Sequence, residues 1–339
     1  MGSAVVVGAG IAGLACAAAL DRRGWAIQVV EREPTLAAVG AGIVLQPNAR
    51  RVLQAIDAEP EGLEFDTFTL ADRSGRALIA QRVGPSLAAT REALHGALAS
   101  RVAHLPLHLG ASASLAPGGV RLDDGRVIEA EHVIAADGLA STIRHALAPE
   151  VRRVYSGYTC LRALLDLPDP PARPVECWGR GARVGVVPLV RGVYVYVTFD
   201  APPRSSVGAD TMARVRFGFG GLPARVLDAL PAEPMHHDID ELDRHVFERD
   251  GAWFVGDAAH GSTPNLGQGA AQGLEDALSL AQALTGEGRP YARRRRGRAW
   301  RVALASRWVG RVGQWSGPVA AGLRDASMRA LGRATASSS

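Results

Sequence analysis

Ala4-Val5-Val6-Val7-Gly8-Ala9-Gly10-Ile11-Ala12-Gly13-Leu14 decides the fold of this chain. The apolar run at 4–7 suits a buried strand, and the alanine-rich stretch from Leu14 to Arg23, closed by Gly24, suits a helix. Between them Gly8-x-Gly10-x-x-Gly13 reads as the tight turn of a βαβ unit. Gly8 permits the turn, Gly10 lets a ligand approach the backbone, and Gly13 lets the helix sit close to the sheet. The helix would then aim its free N–H groups at a pyrophosphate. Ile27-Gln28-Val29-Val30-Glu31 reads as the second strand; Glu31 ends it about 20 residues after Gly10, where a carboxylate accepts ribose hydroxyls and repels a 2′-phosphate. A structural glycine turn beside an exposed glutamate is the competing reading. The unit predicts a bound dinucleotide and leaves FAD against NAD open.

A distant segment narrows that choice. Trp253-Phe254-Val255-Gly256-Asp257 reads as a buried strand ending on a carboxylate, followed by His260, Pro264 and Gly267-Gln268-Gly269, which opens a helix over 269–284. A carboxylate at a strand end can bind the hydroxyls of a ribityl chain, which NAD lacks. The glycines let backbone N–H groups press against a flat ring. The positive end of the helix would face the edge of a reduced flavin that carries negative charge. The two segments together point to FAD.

The whole chain bounds the class. Its 339 residues leave room for about two domains, and 47% hydrophobic with 21% charged residues is the composition of a globular protein with a core. All 38 lysine-plus-arginine positions are arginine, and a net charge of +4 spread along the chain does not suggest nucleic acid. Cys16, Cys160 and Cys177 lie far apart, so neither a disulfide framework nor a dithiol pair is indicated, and a reducing, cytoplasmic setting is expected. The first apolar run is broken by glycines and lacks a basic leader, so a signal peptide or membrane span fits poorly.

Helices are expected over 47–56 and 91–102, hairpins over 65–81 and 112–128, and a strand over 132–136 leading into Asp137-Gly138. After Tyr155 strand-like segments at 160–167, 184–190 and 193–200 alternate with Pro- and Gly-rich loops. The expected fold is α/β: a Rossmann-like FAD-binding domain over 1–64, 82–155 and 245–289, with an inserted, mostly β substrate domain over 65–81 and 156–244. C-terminal helices follow over 290–334, then a disordered tail over 335–339.

These motifs together resemble the single-component FAD-dependent aromatic hydroxylases, the GR2-type, para-hydroxybenzoate hydroxylase-like flavoprotein monooxygenases, over most of the chain. Val133-Ile134-Ala135-Ala136-Asp137-Gly138, with Ser141 and Arg144, resembles their Asp-Gly motif; Gly256-Asp257 and the segment after it resemble their Gly-Asp motif; Arg91 matches an arginine at the ribityl–pyrophosphate region. Tyr155–Thr159 and Trp178–Arg183 are most similar to the urate-hydroxylase and zeaxanthin-epoxidase branch. The resemblance implies FAD held at Gly8, Gly10, Ala12, Gly13, Glu31, Arg32, Val44, Arg91, Ala113, Asp137, Asp257, Gly267, Gln268, Gly269, Ala270 and Ala271. Ala271 replaces an asparagine common in relatives, which removes one side-chain contact to the ring. It implies NAD(P)H as co-substrate and O₂ adding at flavin C4a, the hydroperoxide hydroxylating an aromatic or heteroaromatic molecule, while the protein supplies orientation and a dry pocket. Pro264 would lie over the ring face, and Arg183 with Tyr194 would hold an anionic or phenolic substrate, unless they are a surface arginine and a packed strand tyrosine.

Other features carry plainer readings. His260 reads as a structural hydrogen-bonding residue, and His236-His237-Asp238 with Asp240, Asp243 and His245 as a polar crossover rather than a metal site. Arg293–Arg296 could touch lipid or nucleic acid; with Trp300, Leu304 and Trp308 on one side, the stretch reads as the solvated face of a packed helix. Rival functions are an epoxidase, oxidase, halogenase or geranylgeranyl-type reductase on the same scaffold, and a non-catalytic FAD- or NAD-binding module. The expected partners are a small aromatic or polyene substrate and O₂, without nucleic acid or stable membrane insertion, the chain being a monomer or homodimer.

Overall fold

The computed structural model describes residues 2–37, 40–287 and 289–336. The chain opens with β1 (Ser3–Val7), α1 (Ile11–Asp21) and β2 (Ala26–Glu31), then β3 (Gly42–Leu45), α2 (Pro47–Ala55), β4 (Leu63–Asp72), β5 (Ala77–Thr90) and α3 (Arg91–Val102). Short strands β6 (Leu107–Leu109), β7 (Ala113–Ala116), β8 (Gly119–Leu122), β9 (Val127–Glu129) and β10 (His132–Ala135) lead to α4 (Thr142–Leu147). The next region holds β11 (Arg153–Leu165), β12 (Val175–Trp178), β13 (Ala182–Pro188), β14 (Val193–Asp200), α5 (Ala209–Phe217), α6 (Gly221–Asp228) and β15 (Met235–Leu242). The last elements are β16 (Glu248–Arg249), β17 (Ala252–Phe254), α7 (Asp257–His260), α8 (Gly269–Leu284), α9 (Tyr291–Gly313) and α10 (Pro318–Ala336).

The first sheet has the order β16-β17-β10-β1-β2-β6, parallel except at its β16 edge. This brings the ends of β1, β10 and β17, and so all three motifs, to one edge. Helix α1 is apolar all round and is buried from Gly13 to Leu20, as a helix enclosed on every side must be. It meets α8 at small residues: a Cβ on Gly273 would come 3.0 Å from the Ala12 methyl, and one on Gly256 2.8 Å from it.

The second sheet has the order β15-β11-β14-β13-β12-β4-β5-β3. Period-2 alternation gives it two unlike faces. Leu161, Ala163, Val184, Val186, Val195 and Val197 point one way, into a cluster with Phe219, Val226 and Leu227 around α5 and α6. The opposite face carries Cys160, Arg162, Glu176, Arg183, Tyr194 and Tyr196, as the strand registers require.

Several expectations need correction. Residues 112–128 form two turns, because Pro117-Gly118 breaks the first arm, giving the three-stranded sheet β7-β8-β9. The expected polar crossover is strand β15, paired to β11 at the sheet edge. The boundaries 64/65, 81/82 and 155/156 fall inside the continuous strands β4, β5 and β11. Residues 335 and 336 belong to α10 rather than to a tail, while 337–339 lie outside the described residues. Trp300, Leu304 and Trp308 are exposed; α9 packs instead through Ala299, Ala303, Ser306 and Gly310.

Candidate functional site

At the nucleotide end, Gly8 has φ +106° and an added Cβ would sit 2.4 Å from the Ala136 carbonyl oxygen. A Cβ on Gly13 would lie 1.9 Å from the Gly8 oxygen, so the helix closes on the turn only because that position is glycine. At Gly10 an added Cβ would meet nothing within 4 Å: the turn is tight on its protein side and open on the other. Gly10 caps α1 without a side-chain bond, leaving the first N–H groups available to an anion. Glu31 accepts from the Ala9 N–H at 2.7 Å and the Glu33 N–H at 3.0 Å, which sets its carboxylate against the turn. His95 Nε2 binds the Ala9 oxygen at 2.8 Å and steadies the same loop. Arg32 is exposed beside Glu33, Val44 is half-buried on β3, and Ala113 is half-buried at the start of β7.

Thr90 caps α3 by accepting from the Ala93 N–H, which places Arg91 in the first turn. Among the described residues no carboxylate or carbonyl accepts from the Arg91 side chain. Burial pushes its guanidinium below its ordinary value and Asp257 opposes that shift. An inward arginine without a partner calls for an anion from outside the chain. Asp137 accepts from the Thr142 N–H and hydroxyl through Oδ2, while its buried Oδ1 has no partner. Arg144 donates to the Ala258 carbonyl at 3.0 Å, joining the Asp-Gly segment to the Gly-Asp segment.

At the flavin end Asp257 is exposed and makes no side-chain hydrogen bond among the described residues. Its position is set by what lies behind it. Asp276 of α8 is fully buried and accepts from the Gly256 N–H at 2.9 Å, from His260 Nε2 and from Arg295 Nε at 2.6 Å. Burial alone would raise the Asp276 carboxyl; His260 and Arg295 outweigh it and hold it below its ordinary value. His260 is thus structural, its partner lying on α8 rather than at the neighbouring Asp257. Pro264 is exposed, its carbonyl accepting from the Gly267 N–H at 2.8 Å. Gln268 caps α8 without a side-chain cap bond and Gly269 is open, so the helix presents free N–H groups there. Ala270 is half-buried beside them, whereas Ala271 points into the core. The sequence reading missed Gln46 and Asn48, which bind the Leu266 carbonyl at 2.9 Å and Gln268 Oε1 at 3.0 Å and fix this loop. Gln46-Pro47-Asn48 at a helix start was the available signal.

Open space at Gly10 and Gly269, an unpartnered Arg91, an orphaned Asp137 oxygen and two uncapped helix N-termini fit FAD, an elongated dianion with a polar chain and a flat ring.

The two expected substrate residues share the polar face of the second sheet but stand four steps apart, about 13 Å along the strand. Arg183 is 1% exposed and fully engaged: NH1 donates to Glu176 at 3.1 Å, Nε to Gln314 at 3.1 Å, and NH2 to Asn265 at 2.6 Å. Arg183 is thus a buried junction in this structure rather than a surface arginine. Tyr194 lies under β3, where a Cβ on Gly42 would strike its ring, and on the same face as Arg162, which the sequence reading overlooked. Burial pushes the Tyr194 hydroxyl up to about 12 against the pull of Arg162 and Arg91. Arg162 is half-buried and forms no ion pair among the described residues. A hollow lined by Leu167, Pro168, Arg225, Asp228 and Ala229 lies beside α6, apart from every motif.

The family described as FAD binding domain matches residues 112–303, and that described as NAD(P)-binding Rossmann-like domain matches 6–52. The chain is 32% identical to the aurachin C monooxygenase/isomerase of Stigmatella aurantiaca, over 96% of this chain and 94% of that protein. The chain belongs to the FAD-dependent aromatic hydroxylases. This hydroxylase is also 32% identical to the 2-heptyl-3-hydroxy-4(1H)-quinolone synthase of Pseudomonas aeruginosa, over 98% of the chain and 94% of the relative. Its fold matches Klebsiella pneumoniae HpxO complexed with FAD and uric acid at a TM-score of 0.85, with 23% identity over 96% of this chain and 92% of that one. The tetrameric form of 2-methyl-3-hydroxypyridine-5-carboxylic acid oxygenase matches at 0.77, with 27% identity over 90% of each chain. The hydroxylase is an NAD(P)H-dependent flavoprotein monooxygenase. No described helix is long and apolar enough to cross a membrane.

Proposed function

We propose that the hydroxylase acts on a small aromatic molecule bearing an ionisable ring oxygen, a phenol or an enolisable heteroaromatic of quinolone type, held at Arg162 and Tyr194. The carrying observation is Arg162 itself, half-buried on the polar face, without a carboxylate partner among the described residues, its charge opposing the upward push of burial on the Tyr194 hydroxyl. A guanidinium in that state favours the deprotonated form of a bound phenol or enol. The released electron pair enriches the ring carbon next to the oxygen, which is the carbon an electrophilic oxygen attacks. The Pseudomonas relative, a 3-hydroxy-4(1H)-quinolone synthase, supports a substrate of this kind.

FAD bound at the site supplies the redox chemistry, taking two electrons from NAD(P)H so that one atom of O₂ enters the ring and the other leaves as water. The chain's own residues bind and orient. Arg91 and the α1 N-terminus would hold the pyrophosphate, Glu31 the ribose and Asp257 the ribityl hydroxyls. The α8 N-terminus would stabilise negative charge at the ring edge, and Pro264 would cover the reacting face. In this reading the second sheet, with α5 and α6, forms the substrate-binding unit.

Stopped-flow flavin reduction by NADPH, scored against phenols, quinolones, purines and polyenes, tests the proposal. A phenol or quinolone should accelerate reduction and emerge hydroxylated, and Arg162→Met should raise its KM about tenfold or more, as loss of a charge-assisted hydrogen bond does. Acceleration by polyenes alone, or an unchanged KM in that variant, overturns it.

A further inference from the structure

Helix α9 has two dissimilar sides. Its inner side, Arg295, Ala299, Ala303, Ser306 and Gly310, is buried, and Ser306 binds Thr263 at 2.8 Å on the loop that carries Pro264. Its outer side exposes Trp300 (59%), Leu304 (39%) and Trp308 (57%). These residues recur every four positions, a stripe about 12 Å long at 1.5 Å per residue. Large apolar side chains continue outward past the helix end, at Trp315, Val319 and Leu323. Among the described residues nothing covers the stripe. Exposed Arg293, Arg296, Arg301 and Arg311 accompany it, with no carboxylate partner among the described residues, and α9 contains no acidic residue.

Interleaved tryptophan and arginine define what can cover this face. Tryptophan favours the boundary between apolar and wet surroundings, where its ring is buried and its N–H remains hydrated. Exposed arginines with no acidic neighbours make a positive surface that attracts an anionic one. A second copy of the chain is a poor occupant, because a twofold contact centred here sets the same arginines against one another with no acid to answer them. We propose that the outer face of α9 docks the hydroxylase reversibly on an anionic lipid bilayer, with Trp300, Leu304 and Trp308 entering the headgroup boundary and the arginines meeting lipid phosphates. The lipid surface then lies one helix diameter, about 10 Å, from the loop that walls the flavin end.

Flotation of the FAD-loaded protein tests this. The protein should rise with vesicles of phosphatidylcholine and phosphatidylglycerol, stay behind with phosphatidylcholine alone, and be released by high salt. Arg301→Gln with Arg311→Gln should lower partitioning about 25-fold, at about fivefold for each basic residue near an anionic surface. Trp300→Ser with Trp308→Ser should abolish flotation and leave flavin content and NADPH oxidation at wild-type values. Absence of wild-type flotation on anionic vesicles overturns the proposal, as does a tryptophan variant that floats unchanged. A wild-type dimer in sedimentation that the tryptophan variant converts to monomer assigns the face to a second copy and overturns it equally. Should the tryptophan variant not fold, the arginine pair decides the matter alone.

Discussion

Asp276→Asn removes the charge at the centre of the buried cluster behind the flavin end. The carboxylate is wholly buried, as are Arg295 and His260 at 3% and 4% exposure, and it accepts from three donors, two of them cationic or ionisable. Asparagine keeps the volume, so no cavity forms, but its amide nitrogen must face a donor. Removing one partner of a buried pair costs about 3–5 kcal/mol. Arg295 keeps its contact with Glu275, which places the loss near the lower bound, about 3 kcal/mol. At about 2.1 cal/mol/K per residue over 339 residues, the apo-protein Tm should fall by roughly 4 °C. With its amide oxygen turned to the charged Arg295, asparagine sets its NH2 group against the Gly256 N–H, which holds the turn, at φ +59°, that aims Asp257. FAD affinity should therefore weaken roughly fivefold, the value of one net hydrogen bond. Circular-dichroism melts of apo-protein and titration of flavin fluorescence quenching measure the two effects. Glu275→Gln is the control: its side chain is 15% exposed, and its loss should cost about 1 kcal/mol or less. Equal Tm shifts in the two variants would refute the reasoning, since burial would then not be what amplifies the Asp276 charge.

Three other outcomes follow from the geometry. Gly13→Ala forces a methyl to within 1.9 Å of the Gly8 oxygen, so the turn must open and the purified protein should be colourless; wild-type flavin absorbance would contradict this. Arg91→Met removes an unpaired, inward-facing charge, so apo-protein stability should hold or rise while the FAD dissociation constant grows about 30-fold, the loss of a charge-assisted hydrogen bond; a lowered apo Tm would show that the arginine has a protein partner. Burial holds the His245 imidazole down at about 4, against an ordinary 6.5. The unfolded chain therefore protonates first, and stability should fall as pH drops from about 6.5 to about 4, by up to about 3 kcal/mol, with no contribution above that window. Urea midpoints across the window check it, and His245→Asn should flatten the slope.

What the sequence made legible is what short stretches of chain decide by themselves. The turn at Gly8–Gly13 is a steric demand of one loop, and α3 and α8 carry their own boundaries in Thr90-Arg91 and Gly269. Strand β15 was illegible because an edge strand facing a polar site has no apolar alternation: Met235-His236-His237-Asp238-Ile239-Asp240 looks like a loop. Helix α9 shows the limit of periodicity, which says which residues share a side but not which side packs. Its bulky stripe looked like the inner one. The small stripe is inside because it permits closer approach: a Cβ on Gly310 would come 2.4 Å from Asn265 Nδ2.

The contacts of Arg183 were illegible for a related reason: two of its three partners lie 82 and 131 residues further along the chain. Once they are in place its chemistry is that of a junction. Asn265 takes the guanidinium through Oδ1, donates to the Ser306 carbonyl at 2.9 Å, and lies 2.9 Å from the Tyr158 hydroxyl. One amide thus ties the second sheet, the loop after Pro264 and helix α9 together. A buried Arg–Glu pair adds little net stability over an apolar pair of equal volume, so stability alone does not account for Arg183 and Glu176 at this point. What the pair supplies is direction. A guanidinium fork accepted by Glu176, Asn265 and Gln314 fixes three elements in one geometry, which no apolar contact would specify. The loop that walls the flavin end is therefore registered on the sheet that carries Arg162 and Tyr194. Arg183 thereby links that loop to the sheet through contacts that are all within the chain.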